Sequence, residues 1–302
     1  MKKVLFTICI VIVLFISTYF ASKLLLDRYY IGTYKILNIV SDESGSSTAE
    51  NLTSKGLTEG KYSFNYLIKH MDRPLYPKEI FMTIDDGPSY NTLKVLKILD
   101  QFSVKANFFV IGKSVEGNEE LLKKMDSDGM CILSHSYSHD YKMYQSKTNF
   151  DEDFNKNAGI LSKILGKDIP FFYRFPGGSD NQEGYDYKTH FDNMIDMRYD
   201  LKAKGYYYVD WNVSSGDAAP NGLPMETIKN NLINQSLGVN FIVSLMHDAS
   251  GKETTAEALP FVIDSLKKRG YVFRTFNDIT PTEIKEMERL RIINRAQKND
   301  KG

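Results

Sequence analysis

The sequence predicts an α/β protein built on a parallel sheet. Three observations carry that expectation. Short apolar runs alternate with stretches of helical spacing from about Tyr76 onward. Seven or so such units follow one another, enough to close a barrel, although a doubly wound open sheet fits the same alternation. Polar clusters stand directly after the apolar runs, and in parallel α/β folds the carboxyl ends of the strands share one face, where active sites gather.

The elements can be read in order. "EIFMTI" (79–84) is a buried strand, and "NTLKVLKILDQF" (91–102) has helical spacing. "ANFFVIG" (106–112) is a strand, "NEELLKKMDSDG" (118–129) a helix stopped at Gly129, and "MCILS" (130–134) a strand. Residues 150–166 form a helix, with Phe150, Phe154, Leu161 and Leu165 at i, i+4 spacing. Strands at 171–173, 206–210, 241–246 and 271–275 alternate with helical stretches at 185–204, 224–236 and 254–268. A charged helix and tail follow at 281–302.

The N-terminus reads differently. Lys2 and Lys3 precede an apolar run from Val4 to Ala21, 18 residues, about the length at which a spanning helix is expected. A cleavable signal peptide is the competitor, but Tyr19 stands two residues before Ala21, a poor small-x-small site. The expectation is an uncleaved anchor over 1–26, with the basic end cytoplasmic and the body extracellular. Residues 27–76 form a polar stalk, and 77–280 a catalytic domain.

Composition narrows the function. Of 302 residues, 42% are hydrophobic and 25% charged, which suits a globular body with a sizeable core. Lys plus Arg and Asp plus Glu both total 38, and there is no local basic patch, so no nucleic-acid partner is expected. Cys9 and Cys131 are far apart and form no C-x-x-C site.

The polar clusters carry the chemistry. They are Asp85-Asp86-Gly87-Pro88, "HSYSH" with His135 and His139, "RFPGG" from Arg174 to Gly178, Asp210-Trp211, and His247-Asp248. Each alone has an ordinary structural reading: a turn, a surface coincidence, a buried ion pair, core. All five at one sheet edge do not. Adjacent carboxylates repel and want a cation or a proton between them. Two histidines four apart with one carboxylate make a triad with open positions, suited to zinc and other first-row divalent ions.

In this order, "TIDDGP", "HSYSH", "RFPGG", "DWN" and "LMH" resemble the motifs of the polysaccharide deacetylases, carbohydrate esterase family four, over about residues 77–280. The resemblance implies a distorted (β/α)7 barrel and a metal-dependent hydrolase of acetamido groups on a glycan polymer. It implies Asp85 as general base, His247 as general acid, and Asp86, His135 and His139 as metal ligands. Arg174 would tune Asp85, and Asp210 would orient the acid histidine or pair with Arg174. The Gly177 N–H, after Pro176, would hold the oxyanion, and Trp211 and Leu245 would wall the acetyl pocket.

One divalent metal is implied, zinc first, with cobalt, nickel or manganese as alternatives. Two departures stand out: Ile84 replaces the usual phenylalanine, and Gly177 replaces a larger residue, which leaves substrate choice open. Location favours the N-acetylglucosamine residues of cell-wall peptidoglycan. Poly-N-acetylglucosamine, chitin oligomers, muramic-acid residues and O-acetyl xylan are the alternatives within the class, and a non-catalytic glycan-binding module lies outside it. The membrane and the glycan are the expected partners, and no protein partner is implied.

Overall fold

The first strand signal divides in two. β1 (Glu79–Phe81) and β2 (Thr83–Asp85) share one register against a single seven-residue strand, Phe241–His247: Phe81 faces Val243 and Ile84 faces Met246. The break at Met82 marks a change of neighbour on the other edge. Glu79 and Ile80 pair with Val272 and Phe273, whereas Thr83, Ile84 and Asp85 pair with Asn107, Phe108 and Phe109.

The computed structural model describes residues 73–186, 191–219 and 222–295, all within the compact unit His70–Gly302. The expected anchor, and the expected stalk up to residue 72, lie outside the described residues. Among the described residues, no helix is long and apolar enough to cross a membrane.

The remaining strands are β3 (Asn107–Val110), β4 (Cys131–Ser134), β5 (Phe172–Tyr173), the hairpin β6 (Tyr185–Asp186) and β7 (Phe191–Asp192), β8 (Tyr207–Tyr208), β9 (Val213–Ser214), β10 (Phe241–His247) and β11 (Val272–Phe273). Every strand pairing within the main sheet is parallel; the hairpin is antiparallel, as is an isolated bridge between Val209 and Ile293. From β2 the sheet runs through β3, β4 and β5 to β8. The same stretch of chain then becomes β9, which pairs with β10, so residues 207–214 carry the sheet round to its start. The result is a barrel-like ring with β11 added beside β1.

Helices lie between the strands: α1 (Tyr90–Gln101), α2 (Glu119–Ser127), α3 (Lys147–Leu165), α4 (Asn193–Ala203), α5 (Met225–Gln235), α6 (Glu253–Lys268) and α7 (Pro281–Arg289). Ser89 caps α1 by accepting from the Asn91 N–H at 3.0 Å, while its own N–H donates to Thr92 Oγ1. The helix expected over 185–204 begins only at Asn193, because the β6–β7 hairpin precedes it. Within the charged helix and tail expected over 281–302, the helix ends at Arg289, and Arg291 and Asn294 beyond it take left-handed backbone, φ 58° and 46°. That turn brings Ile292 and Ile293 into the core.

Strand alternation sorts the core into layers. Ile80, Ile84, Phe108, Ile132, Ile242 and Met246 pack outward beneath the helices. Phe81, Phe109, Leu133, Phe172, Val209 and Val243 pack inward with Phe276, Met287 and Ile293 of the C-terminal segment. Continuing each inward column toward the strand's carboxyl end reaches Asp85, His135, Arg174, Trp211 and His247. Where β8 leaves β5, the Asp210 N–H loses its sheet partner and donates instead to Ile292 O at 2.7 Å.

Candidate active site

The metal-ligand candidates converge. One ligand atom each from Asp86, His135 and His139 lies within 4.8 Å of the others. Asp86 Oδ1 stands 3.4 Å from both His135 Nε2 and His139 Nε2. Two of these residues sit on left-handed backbone, Asp86 at φ 77° and His139 at φ 53°, as does Ser136 between the histidines at φ 87°. For non-glycine residues such conformations cost about 1–3 kcal/mol each and persist where the surroundings enforce them. Here the Asp86 N–H donates to Phe109 O, and the His139 N–H to Ser136 Oγ. Asp153 of α3 accepts from the Tyr137 N–H at 2.7 Å and the Ser138 N–H at 2.9 Å, clamping the loop between the histidines.

The donor set fits a divalent cation. His135 Nδ1 lies 2.8 Å from the Arg174 carbonyl, so it carries the proton and its Nε2 lone pair faces Asp86. Asp86 Oδ1 is buried, with no hydrogen-bond partner in the protein. One carboxylate oxygen and two imidazole nitrogens converging in this way make a donor set that suits a divalent cation. Burial opposes ionisation of Asp86, yet the neighbouring imidazoles, His135 first and then His247 and His139, hold its carboxyl well below the usual range. Burial, and then the close approach of His135, push His139 down and favour the neutral imidazole a metal requires.

Asp85 and His247 flank this trio. They are register partners on β2 and β10, both inward. Asp85 is 2% exposed, and its Oδ1 accepts from Arg174 Nη1 at 2.8 Å. The fully buried guanidinium also donates to Thr83 Oγ1 at 2.6 Å, Val209 O at 3.0 Å and Asp210 O at 3.2 Å. Asp85 Oδ2, on the other side, lies 3.9 Å from His135 Nε2 and faces the trio.

Of the two tasks open to Asp210, orienting His247 falls to a different carboxylate. Asp210 accepts from the Ser179 N–H at 2.9 Å and from Ser179 Oγ at 2.5 Å, and its bond to Arg174 runs through its backbone carbonyl alone. Burial raises the Asp210 carboxyl, against those two bonds. The residue on His247 is Asp217: Oδ1 lies 2.6 Å from Nδ1, and Oδ2 accepts the His247 N–H at 2.9 Å. Burial opposes charge on His247, yet the bond and charge of Asp217, with Asp85 and Asp86, hold it up at about 9. Asp217 is in turn held by Ser215 Oγ at 2.5 Å and Thr255 Oγ1 at 2.6 Å.

The rest of the wall is in place. The turn at Pro176 is fixed by Tyr144, whose hydroxyl donates to Pro176 O at 2.8 Å, and by Asn181 Nδ2 at 3.2 Å. Among the described residues, no backbone carbonyl accepts from the Gly177 N–H. A Cβ on Gly178 would stand 3.1 Å from Trp211 Cη2, so glycine there lets the indole close over the turn. Leu245, 7% exposed, precedes His247 on the same inward face. Asp248, beside it, is fully buried under Gly87, and burial, with the Asp86 and Asp85 charges, raises its carboxyl to about 7.

The polysaccharide deacetylase family model matches residues 72–191. A Bacillus cereus peptidoglycan-N-acetylglucosamine deacetylase is 30% identical over 210 residues, covering 68% of this chain and 90% of that protein. The chain belongs to the polysaccharide deacetylase family. A second peptidoglycan-N-acetylglucosamine deacetylase from the same species is 25% identical over 256 residues, covering 82% of this chain and 87% of that one. Among solved structures, the catalytic domain of peptidoglycan N-acetylglucosamine deacetylase from Eubacterium rectale superposes with a TM-score of 0.62 at 32% identity, covering 70% of this chain and 93% of that one. The chain is thus a polysaccharide deacetylase, a hydrolase of amide bonds, in a family whose members are metal-dependent.

Proposed function

We propose that this enzyme removes N-acetyl groups from N-acetylglucosamine residues of peptidoglycan, with zinc at Asp86, His135 and His139, and that residues 1–26 tether it to the membrane with its catalytic domain outside. The observation that carries the reading is the convergence of Asp86, His135 and His139, flanked by the Arg174-bound Asp85 carboxylate and by the Asp217-bound His247. When bound, a divalent cation supplies Lewis acidity there, acidifying water and polarising a carbonyl.

The chain's own residues do the remaining work. Asp85 accepts the proton of the attacking water at Oδ2, because Oδ1 is held by Arg174. The Gly177 N–H donates to the tetrahedral oxyanion, a contact typically worth about 3 kcal/mol. His247 Nδ1 is bound to Asp217, so its Nε2 delivers a proton to the sugar nitrogen and an amine departs in place of an amide anion. Trp211 and Leu245 exclude water around the acetyl methyl. The base must be ionised and the acid protonated, which gives a bell-shaped pH profile. A glycan-binding module would need neither Asp85 nor His247.

Acetate release from peptidoglycan, chitin oligomers and acetylated xylan, compared side by side, tests the substrate. The highest kcat/KM is expected on peptidoglycan, with loss on chelation and recovery with zinc. Asp85→Asn should retain the metal while turnover falls by about 10²–10⁴. Near-normal turnover in that variant would remove the assigned base, and preference for another polymer would remove the assigned substrate.

A further inference from the structure

The residue two positions beyond the second histidine has no part in the chemistry so far. Asp140 Oδ1 accepts the Lys142 N–H at 2.9 Å and starts a short 3-10 turn at Tyr141–Gln145. That turn folds the chain back at once, so the Tyr141 ring stands 6.0 Å from the His139 ring and 6.0 Å from the Tyr144 ring. Tyr144 is buried and bonded to Pro176 O, which ties Tyr141's neighbours to the oxyanion turn. A Cβ on Gly177 would meet Tyr141 Oη at 3.2 Å and Cε1 at 3.4 Å. The space into which a side chain at 177 would project is therefore already taken by a phenol from the histidine loop. Tyr141 itself is 39% exposed.

We propose that Tyr141 is a substrate-contacting specificity residue, whose hydroxyl hydrogen-bonds a sugar oxygen next to the acetamido group lying over Gly177. The inference rests on the deacetylase reading and deepens it, naming the side chain that reads the sugar rather than the acetyl group. The phenol is both donor and acceptor, suited to a hydroxyl or an ether oxygen of the pyranose. Its short, stiff side chain is held between His139 and the Pro176–Gly178 turn, so little rotamer freedom is lost on contact.

The test compares Tyr141→Phe with the wild type on two acetyl donors: an N-acetylglucosamine oligomer and a sugarless aryl acetate. Loss of one neutral hydrogen bond corresponds to about a 5–10-fold effect. The ratio of oligomer to aryl-acetate kcat/KM should fall by about that factor, with the loss appearing in the oligomer KM rather than in kcat. An unchanged ratio would overturn the proposal, because a purely structural role lowers both activities together. Oligomer dissociation constants for the two proteins give an independent readout without turnover: about 5–10-fold weaker binding in the variant supports the contact, and equal binding overturns it. A wild type that binds the oligomer but releases no acetate would strike the proposed function alone.

Discussion

Asp217 grips His247 at two points, one carboxylate oxygen on the ring nitrogen at 2.6 Å and the other on the backbone N–H at 2.9 Å. This fixes the ring's orientation, its tautomer and its charge together. Replacing Asp217 with Asn keeps a partner for the ring and removes the charge. A histidine held up at about 9 is protonated below that value and loses its proton as pH rises through it. Asp217→Asn should therefore shift the alkaline limb of kcat/KM downward by at least about one pH unit, with the loss greatest above pH 8. A bound cation pulls in the same downward direction, so the wild-type limb of the loaded enzyme lies below about 9. The stability linkage has the same sign. This histidine's contribution is complete below the ordinary value of 6.5 and is lost between 6.5 and about 9. pH–rate profiles and denaturant midpoints for the two proteins check both statements.

Arg174 is fully buried and spends its donors on Asp85, Thr83 and the carbonyls of Val209 and Asp210. Arg174→Met leaves the Asp85 carboxylate buried without its partner, and breaking such a pair costs about 3–5 kcal/mol. Arg174→Lys keeps the charge but lacks the planar fork. It should recover part of that stability in urea unfolding and little of the turnover.

Metal loading should stabilise the fold. Binding to the native state alone adds about 2.7 kcal/mol at a hundredfold excess over Kd. The wild type should melt higher with zinc than with chelator. Asp86→Asn and His139→Ala should lose most of that difference, as read by thermal melts at several zinc concentrations.

Gly87 separates the aspartate pair from the buried Asp248 carboxyl, and a Cβ there would stand 2.6 Å from Asp248 Oδ1. Gly87→Ala should destabilise by about 1–3 kcal/mol through overpacking and displace Asp86. Pairing it with Asp248→Ala should restore part of the urea midpoint.

Much of the candidate site was legible because its residues stand immediately after apolar runs. Asp85, His135, Arg174 and His247 needed only the strand pattern and the rule that parallel strands point one way. Asp217 was not legible. It follows β9, two residues long, inside "NVSSGDAAP", where serine and glycine read as a turn. Only the pairing of Ser214 with Leu245 places that segment beside His247. The one available signal was Val213, a branched apolar residue midway between two polar groups. The β6–β7 hairpin was missed for a similar reason, since two-residue strands leave too few side chains to show a period.

Asp85 and His247 owe their separation to sheet register rather than to any loop. Insertions should then be tolerated very unevenly along this gene. An extra codon between residues 249 and 252 lengthens a surface connection and leaves the two strands aligned. The same codon within 241–247 turns His247 to the outer face and brings a neighbour inward, leaving a folded barrel with no acid.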